Sequence, residues 1–314
     1  MADEEPLVSV IVPVATRGSF TRKCLQTVLD SLESFDGASE LILALNGLGR
    51  GDIEDLAVAL DNPKVTCIEL GERAGSAPAR CRGIEHARGR YVLLTDADCL
   101  VPADWVARMV SAAAADGVAC GQVQAANRIV NAYVRIEQEV DRVRSSALTP
   151  GGTRRYPTVA NMAARRALLP PIVDDRDNTT EDIQLSLEYM SRGIAVRSVD
   201  DVIVRTIYPS SLRQCLARRA KHAKGVAFAR RLWSRKEWRS FGMRGPFSLA
   251  VAAFVRIWRM RLSRREQLIA LALRLWFAAM WAFYLLAPGR KHLEQSAKPD
   301  TRPARGNKIS ERRT

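Results

Sequence analysis

Residues 71–98 read GERAGSAPARCRGIEHARGRYVLLTDAD, and three features follow one another within this stretch. A loop of small residues at 75–79 leads into a predicted helix, 78–88, with Pro78 in its first turn. The apolar segment 91–95 comes next and is typical of a strand buried on both faces. Asp96-Ala97-Asp98 follows that strand directly. The stretch therefore predicts a helix packed on a buried strand, with two carboxylates at the carboxyl end of the strand.

The chain on either side of this stretch alternates between strand-like and helix-like patterns. The apolar run 8–12 is predicted to be a strand stopped by Pro13, and 41–45 a strand closed by Asn46-Gly47. Strands separated by helices of ordinary length form βαβ units with parallel pairing. The remaining predicted strands are 65–70, 118–125, 158–163, 195–199 and 202–207, and the remaining predicted helices are 21–35, 52–60, 131–146, 181–192 and the Arg-rich segment 211–239. We therefore expect an α/β, Rossmann-like fold in which helices flank a mostly parallel sheet.

Charge divides the chain into two parts. The first 208 residues carry 23 Lys and Arg against 29 Asp and Glu, a net charge of −6, whereas residues 209–314 carry 25 against 5, a net charge of +20. Hydrophobic residues make up 47% of the 314 residues, which is enough for a packed core and excludes wholesale disorder. The six cysteines contain no CxxC pair, so neither a disulfide framework nor a zinc site is predicted.

Asp96 and Asp98 are the sharpest chemical feature of the sequence. In open α/β sheets, ligands bind beyond the carboxyl ends of the strands, so both carboxylates are expected to reach one crevice. Two carboxylates held together in a partly buried crevice are costly if nothing pairs with them. A hard divalent cation, Mg²⁺ or Mn²⁺, would relieve their repulsion and bridge to phosphate oxygens. Alternatively, one carboxylate caps the next helix and the other is solvated.

Two helix starts add groups that suit the same chemistry. The small residues at 75–79 leave backbone N–H groups accessible where phosphate binds readily, and Arg80 would pair there with a phosphate or with an aspartate. Thr180-Glu181-Asp182 begins another predicted helix. A carboxylate at the positive end of a helix tends to stay ionised, as a general base for a hydroxyl must. The alternative is simple N-capping, which accounts for one of the two acids.

In this order the motifs resemble those of the family 2 glycosyltransferases of the GT-A fold. The resemblance covers about residues 7–208, and it is specific as a combination although each motif alone is weak. It is carried by the apolar strand ending at Pro13, by Gly75-Ser76-Ala77-Pro78-Ala79-Arg80, Gly83, Ala87-Arg88-Gly89 and Asp96-Ala97-Asp98, and by the later block Asn161-Met162-Ala163-Ala164-Arg165-Arg166, Glu181-Asp182 and Gly193.

The resemblance implies an inverting glycosyltransferase, an enzyme that moves a sugar from a nucleotide-sugar donor to a hydroxyl of an acceptor. The acceptor is expected to be a lipid-linked group, a polysaccharide or another saccharide. Asp98 and Asp96 would hold Mg²⁺ or Mn²⁺, and Asp182 would take the proton from the acceptor hydroxyl. The residues expected to contact the donor are Pro13, Asn46, Gly75, Arg80, Asp96, Asp98, Glu181, Arg218 and Arg219.

Some positions depart from the family pattern. Leu45 stands where the family usually has an Asp that contacts the nucleobase, and Cys81 replaces the Asn that commonly follows the matched arginine. The segment 211–225 loosely resembles one in membrane-associated members that carry QxxRW, but here no Trp follows Arg218-Arg219. These arginines, with Lys221, would hold the diphosphate of the donor or of a lipid acceptor, or else form a solvated helix face.

Residues 268–287 form an apolar run with one charge, Arg274, after a capping-box sequence at 263–266. At about 1.5 Å per residue, the run would just cross a hydrocarbon core of about 30 Å. A single crossing would carry the basic tail outward, against the positive-inside tendency, and the apolar run 245–258 is too short to return. We therefore expect an interfacial or re-entrant helical pair on the cytoplasmic face of an anionic membrane. A single span and a helix packed on the globular domain remain alternatives.

The predicted organisation is a GT-A catalytic domain at 1–208, a helical membrane-associating region at 209–289 and a disordered basic tail at 290–314. The acidic start, Met1-Ala2-Asp3-Glu4-Glu5, lacks the pattern of a signal peptide, so the chain is expected to start in the cytosol.

Three other functions remain open from the sequence. A sugar-phosphate nucleotidyltransferase also uses a parallel sheet and a divalent metal, but it would open with a longer Gly-rich basic loop than residues 13–18. A basic nucleic-acid-binding protein built on 211–239 fits the charge of that segment. It does not fit the acidic first 208 residues or the neighbouring apolar runs, so no nucleic-acid partner is predicted. A catalytically inactive family member would keep the fold without turnover.

Overall fold

The computed structural model describes residues 7–49, 62–128, 130–145, 157–175, 178–240, 245, 256–258 and 260–287. The predicted helix 52–60, most of the apolar run 245–258 and the tail 290–314 lie outside these residues. In the described part, eight strands join one sheet that has helices on both faces.

The sheet combines a parallel half with a mixed half. Its strands are β1 Val8–Val14, β2 Ser39–Leu45, β3 Val65–Glu69, β4 Tyr91–Leu94, β5 Cys99–Leu100, β6 Val118–Ala125, β7 Met162–Arg165 and β8 Arg197–Thr206. They lie in the order β3-β2-β1-β4-β7-β6-β8-β5. The first four are parallel, β7 is antiparallel to both neighbours, and β8 is parallel to β6 and antiparallel to β5. The predicted α/β fold is confirmed, although the sheet is more mixed than expected.

Eight α-helices are described, and one of them was not expected from the sequence. They are α1 Ser19–Glu33, α2 Ser76–His86, α3 Trp105–Asp116, α4 Ala132–Ser145, α5 Glu181–Ser191, α6 Leu212–Leu232, α7 Arg235–Ser240 and α8 Arg264–Leu286. The unexpected helix is α3, and strand β5 likewise has no predicted counterpart. The buried positions of α3 recur at helical spacing, at residues 105, 106, 109, 110 and 113, so its signal was present in the sequence.

Strand β1 continues through Pro13, contrary to the prediction that this proline stops it. Proline cannot donate a hydrogen bond, so a strand tolerates it only where no partner needs its N–H. β4 pairs with β1 only as far as Ile11, opposite Leu94, whereas β2 continues with Ala44 opposite Pro13. Pro13 therefore lies where β1 has a neighbour on one side only.

The predicted strand 158–163 begins later than expected, because a 3₁₀ turn at Val159–Asn161 precedes β7. The Asn161 side chain is fully buried and accepts a hydrogen bond from Trp105 Nε1 at 2.9 Å. Its amide group donates to the carbonyls of Gln122 and Val202 at 2.9 and 3.0 Å. Asn161 thus joins this turn to α3, β6 and β8. The first residue of the motif at 161–166 therefore has a structural role.

The two strands predicted at 195–199 and 202–207 are one irregular strand, β8. Its register with β6 moves from Val199, opposite Gly121, to Ile203, opposite the next residue, Gln122. The three intervening residues of β8 have no partner in that register, so the strand bulges there. A bulge bends a strand and increases its local twist, and the sequence pattern interprets such a break as two short strands.

The alternation of side chains along β1 divides the core between the two faces of the sheet. Val8, Val10 and Val12 are fully buried in the cluster that includes α1 and α3, whereas Ile11 is buried in the cluster that includes α2 and α5. Because β1, β2 and β4 are parallel, their carboxyl ends lie at one edge of the sheet. The loops that follow these strands therefore meet there.

The Ala87-Arg88-Gly89 motif has a structural role at the opposite ends of the same strands. Glu40 is buried on β2 and accepts hydrogen bonds from Ser9 Oγ at 2.6 Å and from Arg88 N at 2.8 Å. Ser9 Oγ in turn accepts a hydrogen bond from Gly89 N at 2.8 Å. This network satisfies buried polar groups and joins β1, β2 and the turn before β4.

Helix α8 lies alongside α6. The capping box predicted at 263–266 is present in full. Trp276 Nε1 donates to Leu216 O at 3.2 Å, and Arg231 donates to Tyr284 O at 2.6 Å. The earlier part of α6 therefore contacts the middle of α8, and the end of α6 contacts the end of α8. The two helices run in the same direction.

By length and composition, α8 is apolar enough to cross a membrane, with a mean hydropathy of 1.8 in its most apolar stretch. One of its faces is nevertheless packed, because Ala270, Leu273, Phe277 and Trp281 are buried in clusters with residues of α4, α5 and α6. The core helix of a soluble protein passes the same test, so hydropathy alone does not assign α8 to a membrane.

Gly83→Ala is expected to lower the free energy of unfolding by about 1–2 kcal/mol, even though Ala favours a helix over Gly by about 1 kcal/mol. A Cβ on Gly83 would lie 2.4 Å from Cγ2 of Ile11, which is held in the middle of the sheet. Helix α2 must then move away from β1. Urea unfolding of the variant and the wild type measures the difference.

Ile11→Leu is the matched control, because leucine keeps the volume but carries no methyl branch on Cβ. Alone it is expected to cost less than about 1.5 kcal/mol. Combined with Gly83→Ala it should recover part of the loss, which a double-mutant cycle detects as a coupling energy. Equal stability of Gly83→Ala and the wild type would contradict the packing described here.

Candidate active site

A cleft of about 650 Å³ lies beyond the carboxyl ends of β1, β2 and β4, where open α/β sheets bind ligands. Its lining comes from the loops after these strands, from the first residues of α2 and α5, and from part of α6. The predicted site residues that line it are Pro13, Asn46, Gly75, Arg80, Asp96, Asp98, Glu181, Asp182 and Arg218. The structure thus brings together residues that are more than 200 positions apart in the sequence.

Arg80 lies at the centre of the charged groups in this cleft. The residue is 2% exposed. One terminal nitrogen of its guanidinium pairs with Asp96 and the other with Glu181. Ser76 Oγ also donates to Glu181, at 3.3 Å. Of the two kinds of partner that the sequence left open for Arg80, phosphate or aspartate, the structure shows the aspartate and adds a glutamate.

Asp98 is exposed within the cleft, although protein groups closely surround its carboxylate on the other sides. This partial desolvation, together with the negative charge of Asp96, raises the pKa of Asp98 above its ordinary value. Cys99 Sγ donates a weak hydrogen bond to Asp98 Oδ1 at 3.6 Å. Burial raises the pKa of the Cys99 thiol well above its ordinary value, so the sulfur keeps its proton.

The residues after β4 fit a divalent cation. Asp96, Asp98 and Cys99 each offer one ligand atom, and these atoms lie within 4.8 Å of one another. Mg²⁺ and Mn²⁺ prefer oxygen ligands to a protonated thiol, so the two carboxylates are the groups that suit them. Further carboxylates line the cleft, two of them at the start of α5, and Arg80 pairs with Asp96 and Glu181. A cation would relieve the repulsion between Asp96 and Asp98, which adds to desolvation in raising the pKa of Asp98.

The two acids at the start of α5 have different surroundings. Glu181 is buried and paired with Arg80, whereas Asp182 is half-buried. Asp182 Oδ1 accepts a hydrogen bond from Ile183 N at 2.9 Å, which holds the carboxylate at the positive end of the helix. Thr180 occupies the N-cap position but makes no side-chain cap hydrogen bond. Simple N-capping therefore accounts for Asp182 in part and for Glu181 not at all.

Helix α6 approaches the start of α5 closely because residue 225 is glycine. A Cβ on Gly225 would lie 2.3 Å from Thr180 Oγ1 and 2.8 Å from Thr180 N. Thr179 Oγ1 also donates a hydrogen bond to Lys221 O at 2.7 Å. This close packing brings Lys221 and His222 to the lining of the cleft.

Two arginines of α6 that were predicted to act together have different positions. Arg218 lines the cleft and stacks over the Tyr208 ring at 5.5 Å. Its positive charge is near enough to Asp98 to oppose the rise in the pKa of that group. Arg219 is 7% exposed and donates a hydrogen bond to Glu137 at 2.6 Å. The structure does not bring Arg219 to the cleft, because it points into the contact between α6 and α4.

Leu45, at the position where the family usually has an Asp, is fully buried in the core at the end of β2. The next residue, Asn46, lines the cleft but also has a structural task. Its Oδ1 accepts hydrogen bonds from Ala74 N at 2.8 Å and from Gly75 N at 3.2 Å. Asn46 thereby fixes the loop that precedes α2.

Several polar residues that line the cleft were not predicted from the sequence, among them Arg73, Cys99, Asp141 and His222. Arg73 and Cys99 are neighbours of motifs that were recognised, so their proximity in sequence could have identified them. Asp141 and His222 lie on α4 and α6, and only the packing of these helices brings them together. No local pattern marks them.

Two family models match the chain. The model of glycosyl transferase family 2 matches residues 9–170, which include β1, Asp96-Ala97-Asp98 and β7. That of glycosyl transferase family group 2 matches residues 91–287, from β4 to the end of α8. The first match alone covers more than half of the chain.

Several curated relatives are sugar transferases by name. Glycosyltransferase AglE of Haloferax volcanii is 31% identical over 121 residues, which are 38% of this chain and 39% of AglE. An N-acetylglucosaminyltransferase of Bradyrhizobium diazoefficiens is 24% identical over 70% of this chain and 49% of its own length. An undecaprenyl-phosphate 4-deoxy-4-formamido-L-arabinose transferase of Sodalis glossinidius is 25% identical over 41% of this chain and 43% of its own. The chain thus spans less than half the length of each of these relatives.

A solved structure shares the fold. The mannosyltransferase PcManGT from Pyrobaculum calidifontis, in complex with GDP-Man and Mn²⁺, matches 90% of this chain and 88% of its own with a TM-score of 0.59 and 18% identity. At that identity the likeness shows the GT-A fold and leaves the substrates open. The family matches, the fold and the order of the motifs agree, and the protein belongs to glycosyl transferase family 2.

Proposed function

We propose that this glycosyltransferase is an inverting enzyme that moves a sugar from a nucleotide-sugar donor to a hydroxyl of its acceptor. One observation carries the proposal: the carboxylates of Asp96, Asp98, Glu181 and Asp182 line one cleft, and a single buried arginine pairs with two of them. Arg80 engages Asp96 and Glu181. Asp98, together with Asp96, would then hold a metal ion, and Asp182 would accept a proton.

The donor is proposed to bind across the loops after β1, β2 and β4, with its diphosphate near Asp98 and Arg218. The GDP-Man and Mn²⁺ in the structure of PcManGT support a nucleotide sugar and a divalent ion. Pro13 and Gly75 line the cleft and would contact the donor directly. Asn46 would act on the donor indirectly, through the loop before α2 that it holds in place. Leu45 lies in the core, so it is not proposed to contact the nucleobase.

Asp182 is proposed to be the general base. It would accept the proton of the acceptor hydroxyl as that oxygen attacks the anomeric carbon of the donor. The bond from this carbon to the diphosphate oxygen breaks on the opposite face, so the configuration inverts and no covalent enzyme intermediate forms. Asp182 lies at the start of α5, where its carboxylate faces the positive end of the helix dipole.

Asp98 and Asp96 would hold Mg²⁺ or Mn²⁺, which when bound offsets the charge that develops on the leaving diphosphate. The surrounding residues orient these ligands. Arg80 fixes Asp96, and the Cys99 thiol donates to Asp98 Oδ1. Arg218 adds a positive charge on the same side of the cleft, as its effect on the pKa of Asp98 indicates.

The acceptor is proposed to be lipid-linked or a saccharide, and the enzyme to act at the cytoplasmic face of an anionic membrane. The name of the relative from Sodalis glossinidius, a transferase for undecaprenyl phosphate, supports a lipid carrier. Arg264 and Arg265 are exposed at the start of α8 and suit anionic lipid. Because one face of α8 is packed on the protein, we favour a peripheral position over a span. The division into regions 1–208, 209–289 and 290–314 belongs to this proposal.

Asp182→Asn is expected to lower kcat by about 10³-fold while donor binding changes by less than about threefold, because an amide cannot accept the proton. Glu181→Gln is the matched control. It should lower kcat much less and should lower the melting temperature, because Arg80 loses a charged partner. Release of nucleoside diphosphate from UDP-, GDP- and dTDP-sugars, with Mn²⁺ and with lipid extract or saccharides as acceptor, measures kcat. A larger loss of kcat in Glu181→Gln than in Asp182→Asn would contradict this assignment.

Asp98→Asn is expected to weaken Mn²⁺ binding by more than about tenfold, because the cleft loses the carboxylate best exposed to the ion. Titration calorimetry of the purified protein with MnCl₂ measures the affinity without any turnover. Asp141→Asn removes a carboxylate from the same cleft but outside the group after β4, and it should change the affinity by less than about threefold. Equal Mn²⁺ affinities of Asp98→Asn and the wild type would argue against this metal site.

Arg264→Gln combined with Arg265→Gln is expected to weaken binding to vesicles rich in phosphatidylglycerol by about 10- to 30-fold, at about 1 kcal/mol per arginine. Raising the salt concentration should weaken binding of the wild type in the same direction. The control pair, Arg82→Gln with Arg197→Gln, removes two exposed arginines from the GT-A region and should bind as the wild type does. Similar losses in both double variants would mean that net charge alone drives binding.

A further inference from the structure

The exposed large apolar side chains of this protein are gathered in one region. Nine are exposed in the part of the chain that the structure describes, and eight of these lie at or beyond residue 207. The ninth is Val130, although the residues up to 206 contain most of the core. Single exposed apolar residues are ordinary in soluble proteins, but a concentration of them marks an interaction surface.

The largest group forms a stripe along the outer face of α8. Its exposed members are Leu268, Leu275, Trp276, Phe283 and Leu286, at spacings that keep them on one side of the helix. The stripe is about 27 Å long at 1.5 Å per residue. It lies opposite the buried face of α8, except that Trp276 stands at its edge and bonds through its indole N–H to Leu216 O of α6.

Polar contacts connect the start of this stripe to the segments that carry the other exposed apolar residues. Arg135 donates a hydrogen bond to Val130 O at 3.1 Å and is paired with Glu266 in the first turn of α8. Asn131 Nδ2 donates to Ser210 O at 2.7 Å. The segment of Val130, the segment between β8 and α6, and the start of α8 are therefore held together.

The apolar surface reaches the cleft at the segment between β8 and α6. Ile207 lines the cleft and is 47% exposed. Leu212, five residues later at the start of α6, is 49% exposed, and Val130 is 45% exposed. Three large apolar side chains thus stand exposed between the place where the reaction is proposed to occur and the start of the α8 stripe.

The exposed charged side chains that the structure describes between residues 207 and 287 are all positive. Arg213, Arg256, Arg261, Arg264 and Arg265 are all exposed. The acids between residues 207 and 287 are only Glu237 and Glu266, and Glu266 is buried and paired with Arg135. Apolar side chains flanked by arginines suit the boundary between an anionic headgroup layer and acyl chains.

We propose that the apolar surface formed by Val130, Ile207, Leu212 and the α8 stripe carries the hydrocarbon chain of a lipid-linked acceptor from the membrane to the cleft. This inference rests on the proposed function, and it specifies that the acceptor is lipid-linked and stays anchored in the membrane. The acceptor's polar head would enter the cleft past Ile207 while its chain stays on the surface, in contact with the leaflet.

A bilayer fits this surface better than a second protein does. A protein partner seated on Ile207 and Leu212 would cover the mouth of the cleft, whereas a fluid leaflet covers the same side chains and delivers the acceptor there. The one-signed charge also opposes pairing with a second copy of the chain through the same patch, because like charges would face each other.

Hydrogen exchange of the full chain, with and without vesicles of phosphatidylglycerol and phosphatidylethanolamine, tests the extent of the surface. We expect vesicles to slow exchange at 207–213 and at 130–133 as well as in α8, with α1 and α2 unchanged as internal controls. Protection confined to α8, or no vesicle binding, would overturn the inference. Protection at the same segments that grows with protein concentration in the absence of vesicles would assign the surface to a second copy and would also overturn it.

Leu212→Gln and Leu286→Gln separate the part near the cleft from the far end of the stripe. Each removes one exposed leucine, so each should weaken vesicle binding by about fivefold. With enough vesicle to bind all the protein, Leu212→Gln should lower the transfer of radiolabelled sugar into butanol-extractable lipid at least fivefold. Leu286→Gln, at the far end of the stripe, should lower that rate by a clearly smaller factor. Equal rates in the two variants would overturn the inference.

The transfer assay also distinguishes failure of this inference from failure of the proposed function. Label that reaches only water-soluble or polysaccharide products would show a transferase whose acceptor is not lipid-linked, and would overturn the inference alone. Absence of nucleoside diphosphate release from every donor tested would count against the transferase itself. The exchange pattern at 207–213 would in that case still decide whether the surface meets a membrane.

Discussion

One buried guanidinium determines how charge is distributed in the cleft of this glycosyltransferase. A cation as enclosed as that of Arg80 is stable only with charged partners, and it takes them from two distant parts of the chain, the loop after β4 and the start of α5. The pairing immobilises Asp96 and Glu181 and joins the sheet to α5. It also gives Asp98 and Asp182 surroundings unlike those of their immediate neighbours. Without Arg80, Asp96 and Glu181 would lose their positive partner and the acids of the cleft would repel one another.

Helix α6 is the second element on which the arrangement depends, because it belongs both to the cleft and to the helical layer behind it. Gly225 lets the helix lie against Thr180, so that Arg218 and Lys221 reach the lining. Other side chains of the same helix pack with α8, and Arg219 is committed to Glu137. A change in how α8 is held would therefore be transmitted to the cations in the cleft through one rigid helix.

Features that depend on neighbouring residues could be predicted from the sequence. The buried strand before Asp96, the helix starting near Pro78 and the capping box before α8 are all specified by side chains within a few positions of one another. These features were enough to identify the GT-A fold and nine of the residues that line the cleft. Local sequence patterns were not sufficient where distant chain segments decide the position of a residue. Pro13 continues a strand because β4 has already ended, and Arg219 is directed away from the cleft because α4 offers it a carboxylate.

The burial of Leu45 has a consequence for how the nucleobase preference of such an enzyme can change. Restoring the aspartate that the family usually carries would place a carboxylate among the apolar side chains of β2 instead of in the cleft, at a large cost in stability. The neighbouring Asn46 is not available either, because its oxygen anchors the loop before α2. Single substitutions at the end of β2 are therefore not expected to change the nucleobase preference, whether they arise in evolution or by protein engineering. Such a change would need replacement of the whole loop before α2 or a new register for β2.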